Sequence, residues 1–231
     1  MKIIFFIIIL LFFSIYIYAP ENNLYCYFKK GEIEMLSDRT IDFWKKRFIP
    51  ELEEQIGKRY VLGGGQMVEY KGHDNLDEDG NPIGFDCCGG IVYAIERVTG
   101  LELYGRPVQS FLNTVWLNEI EEKDLREGDL ILVDIPGMKS GNLLKNKKGE
   151  IIYGKFNHVM TYAPYGKYDI ITTEGVGGDY RINPSSSTTT RRWKFSEFKR
   201  VSSIIYKKST KYKFMRINWD WFFNYKKSHQ V

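Results

Sequence analysis

The stretch Gly84-Phe85-Asp86-Cys87-Cys88-Gly89-Gly90 runs without a break into Ile91-Val92-Tyr93-Ala94-Ile95-Glu96-Arg97-Val98-Thr99-Gly100. Ile91, Ala94, Ile95 and Val98 recur at helical spacing and Gly100 closes the run, so a helix is expected to begin beside the two cysteines. A thiol at a helix start lies at the positive end of the macrodipole, near N–H groups with no helical partner. Its pKa therefore falls below the ordinary value of about 8.5. The pattern supplies a thiolate nucleophile. Gly89 and Gly90 leave room for a substrate backbone or a facing strand.

A thiolate needs a base or ion-pair partner, and the chain has three histidines: His73, His158 and His229. His73 lies among acids and His229 near the C-terminus. His158 opens the apolar run Asn157-His158-Val159-Met160-Thr161-Tyr162, whose strand end could aim an imidazole at the helix tip. The orienting group is expected from the next strand, Ile170-Ile171-Thr172-Thr173-Glu174-Gly175, where Thr172 and Glu174 share a face. Glu174 is preferred because a carboxylate stabilises imidazolium more strongly, and Thr172 is its substitute.

Working outward, Ile41, Trp44, Phe48, Leu52 and Ile56 predict a helix over 40–57, ended by Gly57 and bent or split at Pro50. From Asp129 the period shifts to strands at Asp129–Ile135, Val159–Tyr162, Asp169–Thr173, Ser203–Tyr206 and Phe214–Ile217. Helices followed by strands indicate an α+β domain with an antiparallel sheet.

The 231 residues, 43% hydrophobic and 16% aromatic, suffice for one sizeable core. Disordered and collagen-like chains are excluded, and no fixed-period repeat is present. Three cysteines, Cys26, Cys87 and Cys88, cannot staple a small scaffold and lack structural-zinc spacing. No metal or cofactor is expected. The net charge of +4 hides an asymmetry: Arg191 to Val231 carries twelve Lys or Arg against Glu197 and Asp220. Nucleic acid is not implied. An anionic wall polymer or membrane surface could meet this basic end.

Residues 1–19 hold Lys2, the apolar run Ile3–Phe13 and an Ile/Tyr segment ending at Ala19, the pattern of an export signal. Pro20 after the cut leaves an uncleaved N-terminal anchor open. The expected organisation is a signal or anchor at 1–19, a linker at 20–39, a catalytic domain at 40–217 and an aromatic, basic tail at 218–231. The domain is expected to work outside the cytoplasm as a monomer: periplasmic, wall-associated or secreted.

Four segments in order resemble the NlpC-type cell-wall cysteine peptidases. Gly57-Lys58-Arg59-Tyr60-Val61-Leu62-Gly63-Gly64 is similar to that family's Gly-x-x-Tyr-x-x-Gly-Gly motif, and Phe85-Asp86-Cys87 to its Asp-Cys-Ser-Gly nucleophile motif. Leu125-Arg126-Glu127-Gly128-Asp129-Leu130 resembles Leu-x-x-Gly-Asp-Leu, and His158-Val159-Met160-Thr161-Tyr162 resembles the strand bearing the base. The resemblance implies a papain-like fold and an endopeptidase acting on peptidoglycan stem peptides, typically between D-glutamate and a diamino acid. It implies Cys87 as nucleophile, His158 as base and Tyr60 beside the thiolate. Asp86 matches the acidic position next to the nucleophile, where capping the helix is the plainer role. Tyr60, Asp86 and Gly89 are the candidate substrate contacts.

The chain departs from that pattern. Cys88 replaces the family's Ser, and since successive helical residues point about 100° apart, only one thiol should face His158. Cys87 is chosen because it directly follows Asp86, with a vicinal disulfide as a minor alternative. The family's third polar position has no clean match. An insert at 66–84 contains Asn75-x-Asp77-x-Asp79-Gly80, with Asp86 at the twelfth position, and is read as an acidic turn rather than a calcium loop. A second insert, 137–156, with Lys139, Lys145, Lys147 and Lys148, is a solvated loop or a flap. Competing functions are a muramoyl-L-alanine amidase, an acyltransferase, or a non-catalytic wall-binding protein using Trp193, Phe195, Phe198, Trp219, Trp221, Phe222 and Phe223.

Overall fold

The computed structural model describes residues 40–62, 64, 77–78, 82–101, 103, 111, 114–135, 144–145, 151–152, 156–173, 189–206 and 210–229. Segments 1–19 and 20–39 lie outside these residues, as do His73, Glu174 and most of the two inserts. No helix among the described residues is long and apolar enough to cross a membrane.

Helix α1 spans Ile41–Glu53 and starts where Thr40 Oγ1 accepts the Phe43 N–H. Trp44, Phe48 and Leu52, four residues apart, are buried in the core. Pro50 does not split the helix. Its ring removes one hydrogen bond, but the helix ends within a turn of it, so little ladder is lost. Ile56, counted on the helical face from sequence, falls beyond that end and is exposed. The chain then turns at Gly57, whose φ of 86° favours glycine. Helix α2 spans Cys87–Thr99 and ends on left-handed Gly100. Ile91, Ala94, Ile95 and Val98 are buried, as their spacing requires.

The sheet comprises β1 (Leu117–Ile120), β2 (Leu130–Asp134), β5 (His158–Tyr165), β6 (Tyr168–Thr173), β7 (Thr190–Trp193) and β8 (Lys211–Ile217). Its order is β1-β8-β2-β5-β6-β7, and every pairing is antiparallel. A separate two-stranded pair, β3 (Leu144–Lys145) and β4 (Ile151–Ile152), lies within the second insert. The architecture is α+β, as expected.

Alternation sorts the sheet's side chains into two cores. Leu130, Leu132, Val159, Ala163, Ile171, Met215 and Ile217 pack with α1, α2 and helix α4 (Trp219–His229). Ile131, Val133, Met160 and Ile170 pack with helix α3 (Phe195–Tyr206). The order is therefore helices, sheet, helix.

Two sequence expectations are corrected. Ser203–Tyr206, expected as a strand, is the last turn of α3. Phe195, Phe198 and Ser202 are its buried residues at helical spacing, whereas Ser-Ile-Ile-Tyr alone reads equally well as strand or helix. Residues 218–231, expected as a tail, contribute α4 to the main core. Phe222 is fully buried against Trp116, Trp219 and Trp221. Trp219 meets Phe48 edge-on, and buried Lys226 gives its ammonium to Thr99 O at the negative end of α2. These aromatics pack between the helices.

Two local devices place the active end of the sheet. Asp129 is buried and takes a bidentate pair from Arg216, 2.9 and 2.7 Å, and the Arg126 N–H at 2.7 Å. Gly128, at φ 91°, donates its N–H to Tyr162 O at 2.8 Å, so the Leu-x-x-Gly-Asp-Leu segment sets β2 against both β5 and β8. The Gly57–Tyr60 segment covers the outer edge of β7 through Gly57 N–H to Thr190 O and Thr190 N–H to Lys58 O. It then bridges Tyr60 to Phe85, two residues before Cys87.

If α4 is integral, Phe222→Ala should lower unfolding stability by about 3–5 kcal/mol in a denaturant titration. An unchanged midpoint would mean that the C-terminal segment is a dispensable tail.

Candidate active site

Asp86 stands in extended conformation just before α2, and its Oδ1 accepts the Cys88 N–H at 3.0 Å and the Gly89 N–H at 2.6 Å. Its carbonyl accepts the Gly90 N–H. The capping role read from sequence is thus the one its side chain performs. The cap has a consequence for chemistry. Among the described residues, the N–H groups of Cys88, Gly89 and Gly90 are committed, and the Cys87 N–H is the one left for an incoming anion.

The two glycines after the cysteines are crowded by the chain itself. A Cβ on Gly89 would collide with the Gly64 carbonyl oxygen, and one on Gly90 with Gln55 Oε1. The close approach anticipated at Gly89 is therefore made by the Gly64 turn. Gln55, which the sequence reading did not single out, gives its Nε2 to Gly90 O at 2.8 Å and so ties the end of α1 to the first turn of α2.

The two thiols differ in environment. Cys87 is half-buried and Cys88 is buried, with 3.9 Å between their sulfurs. The Cys88 thiol beside Cys87 holds the latter's pKa well below the ordinary thiol value. A hydrogen bond from His158, its positive charge and the Val159 N–H add to this, against the opposing effect of burial. Burial pushes Cys88 well above that value, helped by its bond to Cys87 and the nearby charges of Cys87 and Asp86. These opposite directions favour the thiolate at Cys87 and the thiol at Cys88. The structure places His158 close enough to Cys87 to act on its thiol.

His158 is the first residue of β5 and is only 4% exposed. Asn157 fixes the strand's start: its Oδ1 accepts the Ile135 N–H at 3.0 Å and its Nδ2 donates to Ile135 O at 2.8 Å. The imidazole Nε2 lies 2.8 Å from Thr172 Oγ1, and Phe198 of α3 stacks on the ring at 5.8 Å and 16°. Glu174, preferred from sequence as the orienting group, lies outside the described residues; the hydroxyl at this distance belongs to its substitute, Thr172. Tyr60 is half-buried, and its backbone bridge to Phe85 sets it beside the nucleophile segment. Asn157, Phe198 and Gln55 were not identified as site residues. Only Asn157, adjacent to the histidine, carried a sequence signal, since a side-chain amide can bond backbone at a strand start.

Beneath Cys87, between α2 and the sheet, is a cavity of about 10 Å³ lined by Gln55, Thr161, Thr173 and Thr190 among others. It has room for roughly one water. Gln55 Oε1 and Thr161 Oγ1 are buried and have no protein partner. Of the weakly read calcium loop, Asp86 caps helix α2, while Asn75, Asp79 and Gly80 lie outside the described residues.

No family model matches the chain, and no curated protein matches it. Solved structures of similar fold include a mutated form of the Resuscitation Promoting Factor Interacting protein RipA. It is 17% identical, with a TM-score of 0.42, covering 77% of this chain and 63% of that one. The NlpC/p60 domain of the peptidoglycan hydrolase SagA is 18% identical, with a TM-score of 0.40, covering 73% and 96%. The peptidoglycan hydrolase RipB from Mycobacterium tuberculosis is 22% identical, with a TM-score of 0.40, covering 71% and 67%.

Because His158 and Cys88 both favour the Cys87 thiolate, removing either raises its pKa. Iodoacetamide should alkylate Cys87 much faster than Cys88 near pH 6. In His158→Ala and Cys88→Ala the alkylation profile should move to higher pH, and the rate at pH 6 should fall about tenfold for every pH unit that the profile moves. Peptide mapping of the labelled protein reads out site and rate. Preferential labelling of Cys88 would reverse the assignment.

Proposed function

We propose that the chain is an exported cysteine peptidase that hydrolyses peptidoglycan stem peptides, cutting between D-glutamate and a diamino acid. The observation that carries this reading is the Cys87 thiol at the start of α2, whose pKa His158 helps to lower, with the His158 Nε2 held 2.8 Å from Thr172. The wall substrate and its bond come from the four motif resemblances, and export from the apolar segment at 1–19.

The Cys87 thiolate attacks the scissile carbonyl, and the developing oxyanion meets the Cys87 N–H, the donor of the first turn that the Asp86 cap leaves over. His158, protonated in the ion pair, gives its Nδ1 proton to the leaving amine. It then takes a proton from water, which releases the acyl group and restores the thiolate. Throughout, the Nε2–H donates to Thr172 Oγ1. A hydroxyl is a neutral acceptor, so it fixes the ring's orientation while stabilising imidazolium less than a carboxylate would. The stacked Phe198 ring blocks rotation about the same axis. Tyr60 is assigned to positioning the substrate.

Digestion of defined muropeptides, followed by mass spectrometry, tests the reading. The wild-type chain should release the D-glutamyl product and Cys87→Ser should lose about a thousandfold or more in kcat. An N-acetylmuramic acid product would instead indicate an amidase, and a mass gain a transferase.

Thr172→Val should lower kcat by roughly 10- to 100-fold with little change in KM, since the ring loses its orienting partner but the substrate loses no contact. An equal loss in KM would move Thr172 into the substrate site.

A further inference from the structure

The sulfurs of Cys87 and Cys88 are 3.9 Å apart. With a carboxylate oxygen of Asp86 they form a group whose donor atoms all lie within 4.8 Å of one another. Such a pair can close on itself or close on a cation, and the distances discriminate. A disulfide needs sulfurs at about 2.05 Å and Cα atoms about 4.4–6.8 Å apart. Neighbours joined by a trans peptide have Cα atoms about 3.8 Å apart, so closing the bond would distort the first turn of α2 and break its cap. A shared cation asks for far less. At a metal–sulfur distance of about 2.3 Å and a tetrahedral angle, two thiolates on one Zn2+ lie about 3.8 Å apart. That is the spacing already present.

We propose that Cys87 and Cys88 form a dithiolate clamp for a thiophilic divalent cation of the Zn2+ class, with Asp86 as third donor, and that the bound cation silences the nucleophile. A carboxylate oxygen of Asp86 lies within 4.8 Å of both sulfurs, at the residue whose Oδ1 caps the helix. Half-buried Cys87 offers the approach and buried Cys88 the second sulfur. Binding forms two metal–sulfur bonds and releases to solvent the proton of each sulfur that arrives as a thiol. No electron moves, so no oxidant is required. Silencing follows because the lone pair that would attack a carbonyl is held by the metal. That consequence rests on the proposed peptidase reading; the binding does not.

The test uses the full-length chain in detergent, in a Cys26→Ser background, titrated with Cd2+ and followed by its thiolate charge-transfer absorption. The expected result is one Cd2+ per chain with the intensity of two thiolates, displaced by Zn2+. Cys87→Ser and Cys88→Ser should each fall to the one-thiolate intensity and bind about tenfold or more weakly. A wild-type intensity of one thiolate or none, or a Cys88→Ser affinity within about twofold of wild type, overturns the clamp. Should either variant fail to fold, zinc X-ray absorption on the wild-type chain decides. Two sulfur scatterers support the proposal, and a shell of only nitrogen and oxygen overturns it. Muropeptide hydrolysis separates the two readings. A two-sulfur site in a chain that never cleaves supports the clamp and removes the peptidase, while undiminished cleavage with Zn2+ bound overturns the silencing.

Discussion

The approach of the Cys87 sulfur to the His158 imidazole is the constraint on which the site depends, because it joins residues 71 apart in the chain, on α2 and β5. Neither element could place its residue alone. The sulfur is fixed by the Asp86 cap, which stops the helix from starting one residue earlier or later. The imidazole is fixed by the Asn157 bracket on Ile135, the Thr172 hydroxyl and the Phe198 ring. Each support comes from a different element, so the helix and sheet layers must all be assembled before base and thiol meet.

The same assembly divides two chemically identical side chains. Cys87 and Cys88 are adjacent, yet one is drawn toward thiolate by its neighbours and the other is held as a thiol by burial. The difference comes from the helical turn between them, which points Cys87 toward the sheet end carrying His158 and buries Cys88 in the core. Glycine at 89 and 90 then lets the Gly64 turn and the Gln55 amide press against the helix. Substrate-facing space was the sequence-level reason to notice these glycines; close packing of the chain on itself is the reason they are needed.

The basic, aromatic C-terminal fifth shows how composition can mislead about place. Trp219, Phe222 and their neighbours look like a surface-seeking cluster when read as a string of rings and lysines. Wound as α4, they bury one face against α1 and the loop at Trp116, and Lys226 closes the end of α2. Likewise Phe198, grouped with the candidate binding aromatics, instead backs the His158 ring.

The sequence by itself determined both principal helices, four strands of the sheet and the capping role of Asp86. Those features follow from periodicity, caps and side-chain chemistry that operate over a few residues. Only the tertiary structure decided that Thr172 bonds the imidazole, that Gln55 and Phe198 support the site, that Ser203–Tyr206 is helical and that α4 belongs to the core. Each of these depends on which residues a layer brings opposite one another. Contacts across dozens of residues leave no local pattern, because strand register and helix packing choose among side chains that look alike along the chain.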